Sequence, residues 1–334
     1  MKVALITTTI HKPEVLALYR AHDPDVMFFV AGDMKTPAEA EDFCNEMDNC
    51  IYLTAHYQDG AYHKSSALLG WNTDSRRNYA LLEAMRWKAD LIISCDDDML
   101  PLDKQIYWEF NDRFEQSWDG LKIGAPNQWV NHGSFTEPAT FARGLAYDMK
   151  FNHDVGFVAD IQIGVVQGII LGVSDSDATY AISNHSLVTG ATEILKAGFV
   201  VDQRANAVFN SQLTAFRAEL APAFGQFYFA QQRNTDIMAS MLMRRIMRER
   251  DLYTNYGPPM AYHARQPRPL LKDLQAERYG VDNIATYADY LNRAPLPKDI
   301  SVVEQCRILA QGWRGPELEA AMAFYSDCDT VLGS

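Results

Sequence analysis

An α/β fold built on a mainly parallel sheet, with helices on its faces, is predicted by three features of this chain. Short apolar runs alternate with helical patterns through the first 125 residues. The runs are continuously apolar, as in strands covered on both faces. Polar clusters or prolines bound them, Pro13 and Pro37 standing where proline starts a helix well. Strands joined through helices imply right-handed crossovers and hence parallel neighbours.

In order, strands are expected at Val3 to Thr8, Val26 to Ala31, Ile51 to Thr54 and Leu91 to Cys95. Helices are expected near Pro13 to Tyr19, Pro37 to Glu46 and Asp74 to Lys88. These 125 residues read as a Rossmann-type, nucleotide-binding half. From Gly124 to Ala230 the pattern becomes irregular, with β-like runs at Phe157 to Ile163, Val165 to Leu171 and Phe227 to Ala230, and a mixed sheet is expected. From Asp236 onward helices dominate: Ile237 to Arg248, Leu270 to Tyr279, Ile284 to Leu291, Val302 to Ala310 and Pro316 to Tyr325. The expected division is residues 1–265 as a catalytic unit, its halves meeting near residue 125, and 266–334 as a helical region packed on it.

A chain of 334 residues with 48% hydrophobic and 22% charged residues has the composition of a folded globular protein throughout. The five cysteines are odd in number, scattered and without CxxC spacing, which excludes a disulfide framework or zinc ribbon and makes a reducing cytoplasm the default. No stretch approaches the roughly 18 uninterrupted apolar residues of a membrane span. The net charge of -13 opposes non-specific binding to nucleic acid or anionic lipid. The basic run Met243 to Arg250 reads as the solvated face of a helix, or as a local patch for DNA.

Asp96, Asp97 and Asp98 directly follow the run Leu91 to Cys95. Ligands of open α/β sheets gather where strands end, and three adjoining carboxylates require a counter-charge to stay ionised. A hard divalent cation, Mg²⁺ or Mn²⁺, supplies one and completes its shell with substrate phosphates and water. An acidic loop capping the next helix would account for the triplet equally well. Arg76 and Arg77 lie at the start of a helix whose N-terminus offers an anion site; a capped helix with exposed arginines is the plainer explanation. Thr7, Thr8 and Thr9 close the first strand and Asp33 the second, where such sheets hold a nucleotide. The absence of GxGxxG and of GxxxxGK[ST] argues against classical dinucleotide and P-loop sites. Asp236, after Arg233, suits either a helix cap or a general base aimed into a cleft. His263 is either structural or a ligand that completes a Mn²⁺ shell.

Five blocks, in order, resemble nucleotide-sugar glycosyltransferases of GT-A fold, most closely the plant reversibly glycosylated polypeptides (UDP-arabinopyranose mutases) and STELLO-type proteins. These are Val30-Ala31-Gly32-Asp33-Met34-Lys35-Thr36-Pro37; Ser75 to Asn78 with Ile93 to Asp98; Gln167-Gly168 with Asp175 to Ala178; Asn210 to Ala223; and Arg233 to Ile237 with His263 to Arg265 and Leu271 to Asp273. The resemblance implies a GT-A-like, Rossmann-type sheet with a C-terminal helical appendage. It also implies a divalent metal on the donor diphosphate, held by Asp96, Asp98 and His263. Thr7, Thr8, Thr9, Asp33, Arg76, Arg77, Asp96 and Asp97 would bind the nucleotide, and Asp236 and Arg233 would lie near the sugar. Asp236 would be the base if the reaction inverts and would position the sugar if it retains. The expected donor is a nucleotide diphosphate sugar, a UDP-sugar first. The acceptor stays open among glycan, protein and modified DNA base. A UDP-sugar mutase, a nucleotidyltransferase and a non-catalytic binding protein are the rivals.

Overall fold

The N-terminal apolar runs become strands close to where the sequence places them: β1 (Val3–Thr8), β2 (Met27–Ala31), β3 (Cys50–Leu53) and β4 (Leu91–Cys95). Every residue of β4 is buried, which is why its five-residue run carries no polar alternation. Helices α1 (Val15–His22), α2 (Ala38–Asn45), α3 (Ala55–Ala61), α4 (His63–Leu69) and α5 (Arg77–Arg86) make the crossovers. The computed structural model describes residues 1–102, 106–147, 153–184, 186–227, 232–264 and 269–333, and of residues 106–109 and 232 the backbone alone. Of the strand expected at Phe227 to Ala230, residues 228–230 lie outside the described residues, as does Arg265 of the last block.

The chain continues through β5 (Met99–Pro101), α6 (Ile106–Glu115), β6 (Trp118–Ile123), β7 (Thr136–Glu137), β8 (Val155–Gly172), α7 (Ala178–Ser183), β9 (Gly190–Ala191), α8 (Glu193–Ala197), β10 (Phe199–Val201) and β11 (Leu213–Arg217). It ends with α9 (Thr235–Arg248), β12 (Leu252–His263), α10 (Leu270–Arg293), α11 (Val302–Trp313) and α12 (Leu318–Leu332). Among the described residues ten strands form one sheet in the order β3-β2-β1-β4-β11-β8-β6-β10-β12-β5, with β8 also paired to β12. β1 runs parallel to β2 and β4, and β2 to β3; β11 is antiparallel to β4 and β8. The result is the expected class: a mixed α/β sheet, parallel at its N-terminal end and flanked by helices. Two hydrophobic clusters pack against it, one joining α5, α9 and the C-terminal helices, the other joining α1, Phe110 and Phe114.

Two elements are longer than expected, for one reason. The strands read as Phe157 to Ile163 and Val165 to Leu171 are a single strand, β8. A Cβ at Gly164 would come 2.8 Å from Met247 Cε and 2.9 Å from Leu252 Cβ, so the glycine admits a close neighbour without breaking the strand. Similarly, the helices on either side of Gly280 are one helix, α10, and a Cβ at Gly280 would meet Asn234 Oδ1 at 2.1 Å. The basic run of α9 also departs from expectation, because it is not solvated. Arg244 donates to the carbonyls of Asp202 and Ala205, Arg245 to those of Leu291 and Ala294, and Arg250 to that of Ile300. Arg244 thus ties down the segment after β10, and Arg245 and Arg250 the end of α10 and the segment after it, so these side chains form no free patch for DNA.

Within those helices Glu317 is buried beside Tyr287, Trp313 and Tyr325, and its Oε2 has no hydrogen-bond partner among the described residues. Burial pushes its carboxyl from the usual 4.5 up to about 7. The folded state therefore holds a proton that the unfolded chain releases, and the associated stability is present below pH 4.5 and lost as pH rises towards 7. Glu317→Gln is expected to gain about 1–3 kcal/mol on the wild type between pH 4 and pH 8. Urea midpoints at the two pH values check this; an equal difference at both would show that the side chain is not held protonated.

Candidate active site

The register of the sheet brings the functional segments to one edge. β1 and β4 are parallel neighbours, with Ile6 opposite Ser94, so Thr8 and Thr9 emerge beside Asp96 to Asp98. β11 enters antiparallel with Leu213 opposite Cys95, and the Asp96 N–H donates to the Gln212 carbonyl at 2.9 Å. β12 ends with His263 opposite Met99, which sets the imidazole next to Asp98. Between these segments, the start of α9 and the start of α10 lies a cleft of about 570 Å³. Its walls include Thr8, Thr9, Arg77, Asp96, Asp97, Arg233 and Asp236 among the residues singled out above.

The acids divide by partner. Arg77 donates to Asp96 and, at 3.3 Å, to the Ser211 carbonyl, while burial and the neighbouring Asp74 and Asp96 act in opposite directions on its charge. Thr9 Oγ donates to Asp97, whose carboxyl is pushed up by burial and by Asp96 and Asp98 on either side. Asp98 is half-exposed and meets His263 Nε2 at 3.0 Å. His263 is 2% exposed and its Nδ1 lies 3.0 Å from the Val173 carbonyl, which can only accept, so Nδ1 carries the proton. Nε2 then turns a lone pair towards a carboxylate. That contact needs a positive charge between the partners, either a second proton or a bound cation.

Two expected contacts are differently placed. Arg76 is fully buried away from the cleft, donates to Ser66 Oγ at 3.0 and 2.8 Å, and lies over the Trp71 ring. Asp33 accepts backbone N–H groups from Met34, Asn72 and Thr73 at 2.6, 2.8 and 3.1 Å. It fixes the loop that forms one wall and does not itself line the cleft; Thr7 is likewise fully buried within β1. The expected three-ligand set divides as well. Among the described residues no three His, Cys, Asp or Glu groups converge to hold a metal ion, because Arg77 draws Asp96 aside.

The floor is an ion lattice that sequence reasoning missed. Arg143 donates from Nε and Nη2 to Asp175 at 2.9 and 2.7 Å, and from Nη1 and Nη2 to Asp236 at 3.0 and 2.9 Å. Asp236 also accepts from the Ser211 N–H at 3.2 Å and the Ile237 N–H at 2.9 Å, so it serves the first turn of α9 as a cap would. Arg233 bonds Glu277 at 2.8 Å and faces Asp175 at 3.6 Å and Asp273 at 4.0 Å. Asp177 caps α7 through the Tyr180 N–H. The only sequence signal for Arg143 is a lone cation among apolar neighbours, Phe141 to Ala146.

No protein-family profile matches the chain, and no curated protein matches it. Among solved structures it is similar to the mannosyltransferase PcManGT from Pyrobaculum calidifontis in complex with GDP-Man and Mn²⁺, at 12% identity and a TM-score of 0.36, covering 99% of this chain and 86% of that one. Among the described residues no helix is long and apolar enough to cross a membrane.

Proposed function

We propose that the protein is a metal-dependent glycosyltransferase of GT-A type that takes a sugar from a nucleotide diphosphate sugar, a UDP-sugar being the first donor to test. The observation that carries this reading is the placement of Arg77, Asp96 and Asp97 in the cleft wall at the end of the parallel strands, with the Asp98–His263 pair next to them in the chain and the sheet. Asp98 and His263 would hold Mn²⁺ or Mg²⁺, and the tautomer set by Val173 suits this, since it leaves Nε2 free to ligate. Bound there, the cation would neutralise charge on the departing diphosphate.

The remaining roles follow from position. Arg77 supports the diphosphate while holding Asp96 in place. Thr8, Thr9 and the loop fixed by Asp33, together with Asp97, border the nucleoside. Arg233 and the Arg143-bound Asp236 form a charged plate of fixed geometry under the sugar. A cleft this polar excludes little water by apolar cover, so fixed charges provide the stabilisation.

Calorimetry with UDP and with GDP, each with and without Mn²⁺, tests the reading. Binding that strengthens at least tenfold with Mn²⁺ is the expected result; no nucleotide binding under any condition would overturn it. A screen of nucleotide sugars then separates the rivals: ring-form conversion without acceptor indicates a mutase, and pyrophosphate release from UTP and a sugar phosphate a nucleotidyltransferase.

A further inference from the structure

The walls of the cleft carry six carboxylates, and their partners distinguish them. Asp96 is paired with Arg77, Asp175 and Asp236 with Arg143, and Asp273 faces Arg233; Asp97 accepts from Thr9 beside the proposed cation ligand. Asp74 differs from all of these. It receives only long hydroxyl contacts, from Thr73 at 3.3 Å and Thr235 at 3.4 Å, and no basic group stands within ion-pairing distance of it among the described residues. Nor does it cap its own turn, since Thr73 accepts the Ser75 N–H instead. The residue is exposed, and it lines the cleft.

We propose that Asp74 is the proton acceptor of the cleft and that Asp236 is not, an inference that rests on the transferase reading above. A base needs an accessible lone pair that is not already committed. Asp236 is buried, and four N–H donors occupy its oxygens. Asp74 offers its oxygens to whatever enters. In the step itself, the acceptor oxygen bonds to the anomeric carbon while its proton passes to Asp74. The bond from that carbon to the diphosphate oxygen breaks, its electron pair leaving with the nucleoside diphosphate. A single displacement of this kind inverts the anomeric centre.

The surroundings of Asp74 suit the task. Enclosure by the cleft walls and the charges of Asp236 and Asp96 push its carboxyl up to about 6, while Arg77 from α5 and the Thr73 hydroxyl oppose the shift. Asp97, Arg143, Asp175, Arg233, Lys272 and Asp273 complete the charged lining. Water in the open cleft weakens the upward push and a bound ligand strengthens it. The group is then ionised at neutral pH yet close enough to it to accept a proton readily.

The test uses the full chain with UDP-glucose and GDP-mannose as donors and water as the acceptor, read as nucleoside diphosphate released. Asp74→Asn is expected to lower kcat about 10²- to 10⁴-fold with the donor KM changed less than threefold. Asp74→Glu should restore part of the rate, with the acidic limb of the pH profile displaced from that of the wild type. Mn²⁺-dependent binding of UDP or GDP to Asp74→Asn should equal that of the wild type, which shows that the variant folds. Undiminished kcat with an unchanged pH profile in Asp74→Asn, or a loss confined to KM, would overturn the role of Asp74 while leaving the transferase reading in place. Wild-type protein that neither binds UDP or GDP with Mn²⁺ nor releases them from either donor would overturn that reading, and this proposal with it.

Discussion

Asp98→Ala is expected to abolish Mn²⁺-dependent turnover and to weaken Mn²⁺-dependent UDP binding at least about a hundredfold, with the thermal midpoint almost unchanged. The expected loss is large because Asp98 is one of the two groups proposed to hold the cation among the described residues, and a hard cation that takes few protein ligands depends on each of them. Stability is spared because the Asp98 side chain is 54% exposed, and its removal leaves His263 still bonded to Val173. Asp96→Ala provides the contrast. It would leave the buried Arg77 without its carboxylate, so there a loss of stability should accompany any loss of function. Calorimetry with UDP and Mn²⁺, alongside thermal melts of both variants, separates the two effects. Undiminished Mn²⁺-dependent binding in Asp98→Ala would remove Asp98 from the metal site.

The N-terminal part of this fold was legible because its strands are buried on both faces and its helices begin at prolines or polar caps. Local pattern sufficed there for the strands and for three of the helices, while α3 and α4 escaped it. β12 was not legible: Gly257, Pro258 and Pro259 interrupt it, and its pairing with β8 shifts register on either side of them. Proline at such an irregularity is compatible with a strand, but in sequence it reads as a break. The acids of the site were legible as a group, since Asp96 to Asp98 follow a strand directly. Their individual duties were not, because each duty depends on a partner distant in sequence. Arg77 selects Asp96, and His263, 165 residues further on, selects Asp98. Thr73, Asp74 and Ser75 are all residue types that cap a helix, and only the observed bond from the Ser75 N–H to Thr73 shows that the Asp74 carboxylate does not serve that turn.

Arg143 was the least legible residue and carries the second large expectation, a loss of about 3–5 kcal/mol in Arg143→Met. Its guanidinium makes two bonds to Asp175 and two to Asp236, whose side chains are only 8% and 7% exposed. Methionine fills much of the same space, so the cost is not chiefly a cavity; it is two buried carboxylates without the cation that joins them, Asp175 keeping only the more distant Arg233 at 3.6 Å. Arg143→Lys should recover only part of the loss, because one ammonium cannot reproduce the planar fork that serves both acids. Removing charge on both sides tests the cause. Adding Asp175→Asn and Asp236→Asn to Arg143→Met should return about half or more of the lost stability, since replacing a whole buried ion cluster costs less than breaking it. Urea denaturation of the single and triple variants measures this. A triple variant no more stable than Arg143→Met would mean that Arg143 acts through packing, and that the charged plate under the proposed sugar site is not held by the pairing of its charges.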